Sequence, residues 1–92
     1  GDLSRSALET LAIILWKGKV SRSGIDYIRG VNSAFALRAL LIRGLVERSQ
    51  DEKDARVYIY RPTIDVLKFL GITSLKDLPE IETLSSQMKE YD

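Results

Sequence analysis

Leu8, Leu11, Ala12 and Leu15 recur at i, i+3, i+4 and i+7, the spacing that lays apolar side chains along one face of a helix. Ser4 stands ahead of the run as an N-cap, Leu3 and Leu8 take the two positions of a hydrophobic staple, and Gly18 ends it. The same device returns with Val20, Ser21 and Ile25, predicting a shorter helix through Tyr27 and Ile28 to Gly30. Asn32 or Ser33 then caps a third helix with Leu37, Leu40 and Leu41 inside and Gly44 as its stop. Only Gly30-Val31 separates the helices at 21–29 and 32–43, which is helix-turn-helix spacing.

Beyond Gly44 the period shortens. Residues 45–48 read as a strand, and Val57-Tyr58-Ile59-Tyr60 as a second, rich in β-branched and aromatic residues. The polar stretch 50–55 between them makes the pair a hairpin, and Pro62 is expected to end the second strand. Thr63 then caps a last short helix, with Asp65 in its first turn, Val66, Leu67 and Phe69 to bury, and Gly71 as stop. The order predicts an α+β fold, a winged helix-turn-helix with a three-helix core, a two-stranded wing and an additional C-terminal helix. Residues 1–79 form that domain. Leu75 and Leu78 are expected to tuck onto its core. Residues 80–92 form a tail, with Ile81, Leu84 and Met88 at helical spacing, that is expected to order against a partner.

Composition narrows the chemistry. The 92 residues contain no cysteine and no histidine, which removes disulfides, thiolate and imidazole metal ligands, and the usual nucleophile and general base. Asp51, Glu52 and Asp54 lack the glycine and distal glutamate of a calcium loop and read as a charged turn. No catalytic constellation emerges, and neither a cofactor nor a metal is expected. No apolar run approaches a membrane span, and no basic stretch followed by an apolar one opens the chain, so neither a membrane anchor nor a signal peptide is expected.

A winged helix raises the question of DNA. The net charge is only +1, and it is uneven: residues 1–48 carry eight Lys/Arg against four Asp/Glu, residues 49–92 six against nine. With Leu37, Leu40 and Leu41 inside, the third helix turns Phe35, Arg38, Ala39 and Ile42 outward, a stripe poor in the hydrogen-bonding groups that read base edges. The wing tip carries Asp51, Glu52 and Asp54 against Lys53 and would be repelled by phosphate. Arg22, Arg29, Arg38 and Arg43 remain as a basic stripe for a DNA-binding regulator, with Tyr58 and Tyr60 to stack; a solvated helical face explains those arginines more simply. Grouped exposed apolar side chains fit a protein partner better. The anchors expected for that role are Phe35 and Ile42 on the third helix and Ile13 and Trp16 on the first, with Arg38 as an orienting charge.

Several stretches, in order, resemble the second winged-helix domain of the segregation and condensation protein B (ScpB) family. They are Leu3-Ser4-Arg5-Ser6-Ala7-Leu8-Glu9-Thr10-Leu11-Ala12-Ile13-Ile14, Ser21-Arg22, Ile28-Arg29-Gly30-Val31-Asn32-Ser33, Leu37-Arg38-Ala39-Leu40-Leu41-Ile42-Arg43-Gly44-Leu45-Val46, and Phe69-Leu70-Gly71-Ile72-Thr73-Ser74-Leu75-Lys76-Asp77-Leu78-Pro79. The resemblance implies a non-enzymatic accessory subunit of the SMC–kleisin complex, which grips the central segment of the kleisin ScpA and through it SMC. It further implies a role in chromosome condensation and segregation, in the cytoplasm on the nucleoid. A homodimer is implied for the full-length protein, whose first winged-helix domain carries dimerisation; whether this stretch pairs alone stays open. Two features depart from the family pattern. Gly24 replaces an acidic residue that would complete a capping box with Ser21, and the wing lacks a Pro-Gly run before its second strand.

Overall fold

The structure, a computed structural model, describes residues 3–70, the side chain of Leu67 excepted. Helix α1 (Arg5–Lys17) begins where the Ser4 hydroxyl accepts the Ala7 N–H at 3.1 Å and ends at Gly18. A two-residue strand β1 (Val20–Ser21) leads directly into α2 (Arg22–Arg29), whose N-cap is Ser21, accepting from the Gly24 N–H at 3.0 Å. The cap therefore forms with no acidic side chain at position 24.

Gly30 closes α2 in the left-handed region at φ 73°, where a side chain would be strained. Helix α3 (Ala34–Ile42) follows after three residues. Asn32 and Ser33 divide the work at its start. The Asn32 side chain accepts the Ala34 N–H at 2.8 Å, whereas Ser33 is the N-cap by position and makes no side-chain cap bond. Its end is a Schellman turn: the Gly44 N–H reaches the Leu41 carbonyl, the Leu45 N–H the Leu40 carbonyl, and Gly44 stands at φ 71°.

Strands β2 (Val46–Gln50) and β3 (Tyr58–Pro62) form the wing hairpin, with Arg48 opposite Tyr60. The sheet has three strands in the order β1-β3-β2, all antiparallel, because Val20 and Ser21 pair with Tyr60 and Ile59. Pro62 is the last residue of β3, paired with Val46 and ending the strand as expected; the ladder to β1 stops at Tyr60, so its missing N–H costs β1 nothing. Helix α4 (Asp65–Leu70) completes the described chain. Thr63 does not cap it through its side chain. Its hydroxyl donates to the Gly44 carbonyl at 2.6 Å, tying the start of α4 to the end of α3, while its own carbonyl accepts the Val66 N–H. Phe69 stays two-fifths exposed. The expected burial of Leu67, stop at Gly71, docking of Leu75 and Leu78, and tail helix through Ile81, Leu84 and Met88 lie outside what is described.

The core gathers Ala7, Leu11, Ala12, Ile13 and Ile14 from α1, Ile25 and Ile28 from α2, Leu37 and Leu40 from α3, and Val20, Leu45, Val46, Tyr60 and Val66 around them. Helix α1 is central, packed on α2, α3 and β3 at once, so it is buried on more than one face. Thr10 is fully buried there, and its hydroxyl is satisfied by the Ser6 carbonyl at 2.8 Å. Ile13, read from the sequence as an outward anchor, is 0% exposed and belongs to this core. A single inward stripe underestimates a helix that has neighbours on several sides.

A candidate protein-docking surface on the third helix

The core residues of α3 fix what it leaves outside. Because Ala36, Leu37 and Leu40 point inward, Phe35 and Ile42 stand out at 88% and 75% exposure, with Arg38 exposed and Ala39 half-buried between them. Val31, in the turn before the helix, is also exposed. At the other end the Arg43 guanidinium lies over the Phe69 ring of α4, 5.2 Å from its centroid. An apolar track thus follows α3 from its first turn to its junction with α4. Trp16, half-exposed in the last turn of α1, belongs to a different helix.

The four arginines proposed for a DNA face sit in different surroundings. Arg29 has only 8% of its side chain exposed, faces Glu9 of α1 at 3.8 Å and donates to the Ser33 hydroxyl at 3.0 Å. Arg22 donates to the Asn32 side chain at 3.0 Å and lies 3.4 Å from Asp26, whose other oxygen accepts the Ser33 N–H. Arg43 is laid on Phe69. Arg38 remains exposed on the α3 track. Both Arg22 and Arg29 bond into the turn between α2 and α3, and Arg29 also faces α1. Asp26 lies one turn on from Arg22 in α2, at i,i+4, whereas Asn32 and Ser33 in the turn and Glu9 on α1 are partners to which no helical period points.

The wing is also built for its own stability. Asp51 accepts the N–H groups of Lys53 and Asp54, shaping the tip. Asp54 accepts both the backbone N–H and the guanidinium of Arg56, and these bonds hold its carboxyl below the ordinary range while raising Arg56. Arg48 packs over the Tyr58 ring at 4.3 Å and Arg61 donates to Ser49. Tyr60, expected to stack on bases, is instead 3% exposed and part of the core. An open cleft of about 370 Å³ between α2 and the wing is lined by Arg22, Ser23, Arg56, Val57 and Tyr58, but each guanidinium there already faces a carboxylate. Among the described residues no cluster of acidic side chains is arranged to hold a metal, and no helix is long and apolar enough to cross a membrane.

The family model for the segregation and condensation complex subunit ScpB matches residues 1–81. The chain belongs to the ScpB family. Segregation and condensation protein B of Clostridium tetani is 41% identical over 92 residues, covering 99% of this chain and 49% of the relative. That of Moorella thermoacetica is 41% identical over 88 residues, covering 95% of this chain and 45% of the relative. The ScpB-family chain thus spans about half the length of the curated relatives it matches. Among solved structures, ScpB from Mycobacterium tuberculosis is similar at TM-score 0.69 and 36% identity, covering 79% of this chain and 46% of that one. A mutant MarR from E. coli, solved in complex with operator DNA, matches at TM-score 0.68 but 16% identity, covering 97% of this chain and 64% of that one; the likeness is one of fold, the winged helix.

Proposed function

We propose that this chain is a non-enzymatic docking domain of a chromosome segregation and condensation complex, which binds the central segment of the kleisin ScpA and so connects to SMC on the nucleoid. Membership of the ScpB family supplies the setting. The observation that carries the binding reading is the outer face of α3. In a nucleic-acid reader that face is polar and basic; here it presents Phe35 and Ile42 with Arg38 as its exposed cation. Trp16 offers a further aromatic contact on α1. The acidic residues of the wing tip oppose an approach to phosphate.

Calorimetric titration of this chain with the ScpA central segment, at low and moderate salt, tests the reading. One-to-one binding with a negative heat-capacity change and weak salt dependence is expected, since apolar burial has that signature. Absence of any complex, together with salt-sensitive binding of a DNA duplex, would replace this reading with a DNA-binding one.

A further inference from the structure

Asp26 holds both sides of the turn between α2 and α3. Its main-chain carbonyl accepts the Gly30 N–H at 2.8 Å, which closes α2, and its side-chain Oδ1 accepts the Ser33 N–H at 2.8 Å, where α3 begins. Ser33 is fully buried, so that N–H depends on Asp26 for its partner. The Ser33 hydroxyl is engaged by Arg29 and makes no cap bond. Arg22 completes the arrangement. Its Nε lies 3.4 Å from Asp26 Oδ2, and its Nη2 donates at 3.0 Å to Asn32 Oδ1, the same oxygen that accepts the Ala34 N–H. Two side-chain oxygens thus meet the N–H groups of Ser33 and Ala34, and one guanidinium of α2 bridges both. The start of α3 is set from α2 and the turn, where a helix ordinarily relies on the side chain of its own N-cap.

Phe35 stands two residues beyond Ser33, in the first turn of α3, with its side chain in solvent, so the backbone of that turn decides where the ring is presented. Ile42 lies nine residues beyond Ser33, about 13.5 Å along the axis, and the buried Leu37 and Leu40 fix that end independently. We infer that Asp26, braced by Arg22, is a positioning residue for partner binding: it acts through Phe35 by fixing the first turn of α3. Removing its carboxylate strands a buried N–H, which is costly. Relief comes from a shift of the first turn toward water, and that shift carries Phe35 with it while Ile42 stays in place. The inference rests on the kleisin-binding reading and adds to it the residues that pre-organise the docking helix from behind.

The test titrates the ScpA central segment calorimetrically into the 92-residue chain and its variants, each variant's folded fraction being fixed beforehand by a urea melt. Asp26→Ala should weaken binding by about three- to ten-fold, a coupling of the size found within one hydrogen-bond network. Asp26→Asn, whose amide oxygen still accepts the Ser33 N–H, should restore most of it. Two double-mutant cycles then decide the matter. With Phe35→Ala already present, Asp26→Ala should add little further loss; with Ile42→Ala present, it should add its full loss. Arg22→Met alters a side chain that is 38% exposed and removes the bridge while leaving both acceptors. It should weaken binding by about two- to three-fold, again only while Phe35 is in place, and it carries the test if Asp26→Ala does not fold. Unchanged affinity in the folded variants would show that the turn serves stability alone. Losses that add fully to Phe35→Ala, or that couple equally to Ile42→Ala, would show that Asp26 does not act through Phe35. Any of these results overturns the inference and leaves the kleisin reading standing. If the segment does not bind the unmodified chain, both fall.

Discussion

Arg29 of α2 and Glu9 of α1 face one another at 3.8 Å with the arginine side chain almost wholly enclosed, and the same guanidinium donates to the buried Ser33 at the start of α3. One side chain thereby joins the first turns of the helical core to the turn between α2 and α3. Glu9 is held from its other side by Arg5 at 3.3 Å. Arg29→Met keeps much of the apolar stem but leaves the Ser33 hydroxyl without its donor. We expect a loss of about 1–3 kcal/mol, seen as a lowered urea midpoint with an unchanged slope. Arg29→Lys should recover only part of it, because an ammonium cannot serve two partners with the fixed fork of a guanidinium. Stability equal to wild type in Arg29→Met would show that this link is incidental.

Ile13 and Trp16 make a second, opposed pair. Ile13 is fully enclosed, so Ile13→Ala leaves a cavity and should cost about 2–4 kcal/mol. Trp16 is 55% exposed, and Trp16→Ala should cost about 1 kcal/mol or less. Paired urea melts decide it; the reverse ranking would mean that the indole seals the core and that Ile13 does not belong to it.

These contrasts mark where sequence reasoning held. The caps at Ser4 and Ser21, the turns at Gly30 and Gly44, and the outward placement of Phe35 and Ile42 are local properties, set within one or two helical turns. A single apolar stripe leaves Ile13 outside, whereas α1 packs against α2, α3 and β3 together and encloses it. Strand β1 is two residues long and exists only through its pairing with β3, so no alternation can announce it. The Thr63 hydroxyl finds Gly44, 19 residues away, and Arg29 finds Glu9 across 20 positions of sequence. Contacts at such separations leave no local trace in the sequence.

The wing offers a pH test. Bonds from Arg56 stabilise the charged form of Asp54, so its folded-state carboxyl titrates below the ordinary range. The sign follows: this contribution to stability is present above the usual aspartate value and is lost as pH falls through the lowered one. Carboxyl-detected NMR should give Asp54 a depressed midpoint in the native chain and a normal one in Arg56→Ala. Both groups are exposed, so the change should leave the thermal midpoint near neutral pH almost where it was. An unshifted Asp54 in the native chain would mean that the pair does not persist in solution.

The same tip provides a charge test of the face as a whole. Asp51 is occupied in shaping the turn and Asp54 in holding Arg56, but Glu52 is an exposed carboxylate beside Lys53. If the tip keeps the wing off phosphate, Glu52→Lys should raise affinity for a random-sequence duplex without disturbing the fold. It should also steepen the dependence of log K on log salt by about 0.9 for a new phosphate contact. Binding of the ScpA central segment should be almost unchanged by the same substitution, because its expected surface is α3 and α4 and its driving force is apolar. Fluorescence anisotropy with both ligands over a salt series makes the comparison. Steep salt dependence already present in the unmodified chain would show that Arg38 and the wing arginines engage DNA despite the acidic tip.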